Sequence, residues 1–227
     1  MTLSRAEATG RIRAYASTEV QFKYDQNGSS PLPYHNGRHA HDVELAAHQI
    51  GMKAVANGKI THRLTTLLQI AASFHDVEQG MGSGKNEVES ARIAVKQMEE
   101  TGAFEPLEIE AVERMILATT VHFEDGVMLQ SATVEGDDPE VDYLCQIIAD
   151  ADLATLGDQW EIYFSRMKAL EVEIHGADPA AETHKQFLER QLALLEHHAF
   201  YTPEATELFH EQEENANELR KRLALLS

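Results

Sequence analysis

Apolar residues recur at helical spacing along nearly the whole chain, and runs of alternating β-branched residues are missing. This pattern limits the fold to helices packed on helices. The expectation is therefore an all-α single domain over residues 1–227. The pattern predicts helices over 3–24, 38–56, from Thr61 as N-cap to about 75, then over 86–101 and 106–122. Loops are expected at "PLPYHNG", 31–37, at "EQGMGSGK", 78–85, and over 124–139. Pro139 opens the helix carrying "CQIIADADLATLG", which Gly157 punctuates. Three C-terminal helices are expected over 158–175, 179–198 and 203–226.

A chain of 227 residues can bury a sizeable core, so polar residues inside apolar runs need a reason. The helix built on Leu67, Leu68, Ile70, Ala71 and Phe74 ends on His75 and Asp76, side by side. "YHNGRHAHDV" places His35 and His39 at the start of another helix. "IIADADLATLG" places Asp150 and Asp152 in an apolar stretch, and "ILATTVHF" ends on His122. A buried charge costs several kcal/mol unless it is paired or bound to a metal. Such groups on separate helices point to convergence on one cation. Imidazole and carboxylate suit borderline and hard divalent metals, and a mixed set of two histidines and two aspartates leaves positions open, as a hydrolytic metal needs.

Other polar residues have plainer readings. Asp42 of the second His-Asp pair, His41-Asp42, can favour a helix N-terminus. Asp150 can satisfy backbone amides, with a metal as its second reading. His184, His197, His198 and His210 lie among charged residues and are expected at the surface. Cys145 reads as a small core residue.

In order, His39, then His75-Asp76, then Asp152 resembles the H…HD…D signature of the HD superfamily of metal-dependent phosphohydrolases. The resemblance spans residues 34–157, with the C-terminal helices 158–227 outside the core motifs. It implies a helical HD-type fold, His39, His75, Asp76 and Asp152 as metal ligands, and Asp76 as part of the catalytic centre. "YHNGRHA" is also similar to the Tyr-His-Asn-x-x-His-Ala stretch of class I cyclic-nucleotide phosphodiesterases, which implies His35 as general acid. By the same likeness Tyr34 and Gln191 become substrate-contact candidates, and His122, at the end of its apolar stretch, is a third. The chain departs from that class in having Gln79 where a second histidine is expected, and Leu194 where a stacking phenylalanine is expected. "KNEVESA", 85–91, resembles an Asn-Glu…Ser-Ala element found after the HD motif in many bacterial members.

The implied activity is divalent-metal-dependent hydrolysis of a phosphomonoester or phosphodiester of a nucleotide-like substrate. The alternatives are a 3′,5′-cyclic-nucleotide phosphodiesterase and a non-catalytic metal- or nucleotide-binding module. The cofactor is one or two divalent cations per chain, with Mg, Mn, Zn, Co and Fe all open. If a second cation binds, Asp76 is the expected bridge, with His122 and Glu78 nearest to help. The formal charge of −19 argues against a nucleic-acid backbone or an anionic membrane as partner. It leaves room for a small phosphorylated substrate, since a bound dication inverts the local field. "MTLSRAEATGRIRAYAS" has no apolar h-region, and no window nears the ~18 apolar residues of a membrane span. A lone cysteine fits a reducing cytoplasm, the expected location. Homo-oligomerisation stays open.

Overall fold

Ser4 starts the first helix. Its hydroxyl accepts from the Glu7 amide while the Glu7 carboxylate accepts from the Ser4 amide, and this capping box opens α1, Arg5–Tyr24. Asn36 caps α2, Gly37–Ala56, by accepting from the Arg38 amide. The later helices are α3 His62–Phe74, α4 Lys85–Thr101, α5 Pro106–Leu117, α6 Pro139–Asp152, α7 Trp160–His175, α8 Ala181–His197, α9 Pro203–Leu208 and α10 Gln212–Ala224. A 3-10 turn, Ala154–Gly157, follows α6. The computed structural model describes residues 3–124, 127–132 and 138–226, and these form an all-α single-domain fold.

Three details differ from the expectation. The helix predicted over 106–122 stops at Leu117. Thr119, Thr120 and Val121 are β-branched, and the chain turns extended there. Val121–Glu124 (β1) pairs antiparallel with Val127–Gln130 (β2), Val121 opposite Gln130 and Glu124 opposite Val127. β2 thus occupies part of the loop expected over 124–139, of which 125–126 and 133–137 lie outside the described residues. The helix expected over 203–226 breaks at Phe209, because Glu211 gives its amide to the Gly157 carbonyl, 3.1 Å away. Thr61 sits at the N-cap of α3 as expected, but its side chain makes no capping bond.

The main core joins α1 to α6, with Ile12, Val43, Ile50, Leu68, Phe74, Met115 and Ile148 among its sealed side chains. Truncating a buried phenylalanine such as Phe74 to alanine costs about 3–5 kcal/mol. A second core of Leu156, Tyr163, Met167, Phe187, Leu188 and Leu219 holds the 3-10 turn, α7, α8 and α10 together. Helix α2 packs against both α3 and α6. This arrangement gathers the start of α2, the end of α3 and the end of α6. No helix of the described residues is long and apolar enough to cross a membrane.

Candidate metal centre

The helix ends that meet beside α2 carry the residues singled out in the sequence. His39 lies in the first turn of α2, His75 caps α3 with Asp76 next to it, and Asp152 is the last residue of α6. The C-terminal ends of α3 and α6 carry partial negative charge and favour a cation. The α2 N-terminus works the other way, and Asp25 meets it by accepting from the Gly37 amide at 2.8 Å.

The side-chain tips converge. His39 Nε2 lies 3.3 Å from His75 Nε2, 3.2 Å from Asp76 Oδ2 and 3.4 Å from Asp152 Oδ1. His75 Nε2 lies 3.3 Å from Asp76 Oδ2 and 3.6 Å from Asp152 Oδ1. His39, His75 and Asp76 can each turn one donor atom to a common ion, these atoms lying within 4.8 Å of one another. Asp152 faces the same two imidazole nitrogens. The histidines are sealed, at 3% and 1% side-chain exposure, while Asp76 and Asp152 keep 16% and 15%. Open coordination positions would therefore face solvent on the carboxylate side.

Donor chemistry tests whether a cation fits. His75 Nδ1 gives its proton to the Ala72 carbonyl at 2.8 Å, so Nε2 presents a lone pair. That lone pair points at His39 Nε2 across a buried contact. Two carboxylates facing the same pair of buried nitrogens call for positive charge between them, from protons or from a metal. The electrostatics carry the same demand. Burial works against a charged His39, yet Tyr34, Asp152 and Asp76 outweigh it and raise His39 well above the usual histidine range. Burial works to raise Asp76, yet His75 and His39 hold it well below the usual carboxylate range. The set fits a divalent ion with mixed nitrogen and oxygen preference.

Each aspartate is capped on its other oxygen. Gln79 Nε2 donates to Asp76 Oδ1 at 2.7 Å, and Gln130 Nε2 donates to Asp152 Oδ2 at 3.1 Å. Neither glutamine was singled out in the sequence as a partner of the site. Gln130 gave no signal, because nothing before the fold links the hairpin to α6.

His35 stands beside the cluster, its ring centre 5.6 Å from that of His39. Glu173 on α7 holds it. Glu173 Oε1 lies 2.5 Å from His35 Nδ1, and Oε2 accepts from the Tyr34 and His35 amides at 2.8 and 3.0 Å. Nδ1 thereby carries a proton toward Glu173, and Nε2 is the nitrogen left for other chemistry. Glu173 is one of many glutamates in the C-terminal helices and is anonymous in sequence. The Tyr34 ring packs on His39 with centres 4.8 Å apart.

The remaining candidates lie elsewhere. Asp150 accepts from the Tyr201 amide, the Thr202 amide and the Thr202 hydroxyl at 2.8, 2.8 and 2.6 Å. Burial nevertheless pushes its carboxyl up to about 6. It is an anchor for the chain before α9, the plainer of its two readings. Glu78 is committed to Lys23 at 2.9 Å and Tyr24 at 3.3 Å. His122 is exposed on β1 with Ser131 Oγ at 3.5 Å from Nδ1. None of the hydrogen bonds described at the cluster goes to Gln191, which lies on α8. Asp42 pairs with Arg166, a structural part. His198, expected at the surface, is partly buried on Gln212, and burial lowers it. Cys145 is buried in the core, as expected.

Compared with known proteins, the chain matches no family model. No curated protein matches it either.

Proposed function

We propose that the chain is a divalent-metal-dependent phosphohydrolase acting on a small phosphomonoester or phosphodiester of nucleotide-like character. The observation that carries this reading is the convergence of His39, His75, Asp76 and Asp152, with His35 and Glu173 beside them. The cation, one of Mg, Mn, Zn, Co or Fe, supplies Lewis acidity to the phosphoryl group and to the attacking water.

The chain's own residues do the rest. His39 and His75 offer lone pairs from a sealed floor. Asp76 and Asp152 offer one oxygen each from the solvent side. Asp76 serves the reaction as a ligand, since Gln79 holds its second oxygen. His35 gives a proton from Nε2 to the leaving oxygen, and the Glu173 carboxylate holds the ring through Nδ1 during that transfer. Tyr34 packs on His39 and keeps its ring in place. A sensor without turnover has no need of an oriented acid, so the His35–Glu173 pair favours an enzyme over a binding module. No observed contact of Gln191 favours cyclic nucleotides as substrates.

The experiment is a phosphoester panel assayed with Mg, Mn, Co and Zn added separately, on wild type and His35→Ala. The expected result is metal-dependent hydrolysis. His35→Ala should lose on the order of 10²–10⁴ in rate on an alkyl or nucleoside ester, and little on p-nitrophenyl phosphate, whose leaving group needs no acid. Equal losses on both esters, with metal still bound, would remove His35 from the acid role. Absence of turnover with every metal would leave a binding module.

A further inference from the structure

We infer that the site takes a single cation, and that Gln79 is the residue that closes it to a second. The inference rests on the metal-site reading above and settles the nuclearity that the sequence leaves open.

A carboxylate bridges two cations by offering one oxygen to each. Asp76 is the aspartate expected to do so, being adjacent to His75 and, like Asp152, only partly buried. Its Oδ2 faces the two imidazole nitrogens, and its Oδ1 is the oxygen a second cation would need. That oxygen already accepts from an amide. The direction of the amide is fixed by a chain of bonds that begins at the backbone. The Met81 amide can only donate, and it donates to Asn86 Oδ1 at 2.8 Å. Asn86 Nδ2 must then face the other way, and it donates to Gln79 Oε1 at 3.1 Å. The remaining end of Gln79, its NH2, is turned onto Asp76 Oδ1 at 2.7 Å. A donor with partial positive charge thus occupies the place of a cation.

The two residues expected to help a second cation, Glu78 and His122, are placed elsewhere. Gln130 caps the other aspartate in the same way, at Asp152 Oδ2. Glu78 is paired with Lys23, and His122 is exposed on the hairpin. The four donors of the first cation are each used once, and neither aspartate has an uncapped second oxygen.

Two substitutions reverse the cap by different routes. Gln79→Glu replaces the donor with a carboxylate that needs a cation between itself and Asp76. Asn86→Asp leaves Gln79 in place. It removes the donor to Gln79 Oε1 and supplies an acceptor, so the amide turns over and presents Oε1 to Asp76. The test is metal content by mass spectrometry and titration calorimetry, on chelator-treated chain reloaded with Mn, with circular dichroism to confirm folding. Wild type should hold one equivalent per chain under excess Mn. Whichever of the two variants folds should gain a second equivalent, bound at least about tenfold more tightly than any second equivalent in wild type. Two equivalents in wild type would overturn the inference. Folded variants that stay at one equivalent would also overturn it, because the amide would not be the gate. No metal in wild type would instead overturn the metal-site reading itself.

Discussion

Glu173 and His35 lie 138 residues apart in sequence and share two bonds, one to the His35 ring and one to its amide, while a third holds the Tyr34 amide. One carboxylate thus fixes both the path of the loop before α2 and the ring on it. Glu173 belongs to α7, whose Tyr163 and Met167 are in the second core, while His39 belongs to the main core side of α2. The orientation of His35 therefore depends on the C-terminal helices. Glu173→Gln keeps the shape and removes the negative charge beside the ring. The expected loss is on the order of 10² in rate on an alkyl phosphoester, smaller on the nitrophenyl ester, with metal content unchanged. Equal losses on both, or loss of metal, would reassign Glu173 to a purely structural part.

Asp150 and Asp152, two residues apart, should separate in opposite senses. Asp150→Ala strands a buried amide and hydroxyl of Thr202 and the partly buried Tyr201 amide, and about 2–4 kcal/mol of stability should be lost with metal still bound. Asp152→Ala should lose the metal and keep most of the stability of the metal-free fold. Denaturant melts paired with metal analysis read both. If Asp150→Ala alone abolished metal binding, the assignment of Asp152 would be wrong.

Glu108 sets a pH dependence. Burial works to raise it, but Arg5, the Glu105 amide and Arg63 outweigh that and hold it at about 2, against an ordinary 4.5. Because the folded value is depressed, the stabilisation is complete above pH 4.5 and is lost as pH falls toward 2. After allowance for solvent screening it amounts to about 1–2 kcal/mol. The contribution lies in two charged contacts that tie α5 to α1 and α3. Glu108→Gln should lower the melting temperature at pH 7, and the gap from wild type should narrow as the pH drops through that window. A gap independent of pH would show that the ion pairs contribute nothing.

Gly157 faces the carbonyl of Phe209, and a Cβ built on it would stand 2.2 Å from that oxygen. The close approach lets Glu211 bond the Gly157 carbonyl and breaks α9 from α10. Gly157→Ala must push backbone against backbone and should cost about 1–3 kcal/mol or more. A melting temperature equal to that of wild type would mean that the contact is slack.

The helical class and most helix positions were legible in the sequence, because 3.6-residue periodicity is local. His75-Asp76 at the end of the Leu67–Phe74 run stood out because charge in an apolar stretch is anomalous without a partner. The hairpin was not legible: two four-residue strands are too short for alternation to register beside the helical background. Glu173, Gln79, Asn86 and Gln130 were beyond reach for another reason. They act through directed hydrogen bonds to residues distant in sequence or turned by the loop, and composition carries no trace of direction. Asp150 was ambiguous against Asp152 because only the fold shows which of them meets the amides of 201 and 202.

The most direct measurement is anomalous diffraction from crystals of the wild-type chain grown or soaked with Mn. The account predicts one peak per chain, bounded by His39 Nε2, His75 Nε2, Asp76 Oδ2 and Asp152 Oδ1, at about 2.0–2.3 Å from each. No peak there at saturating Mn, or a peak ligated by Asp150 or Glu78 in place of these residues, would contradict it.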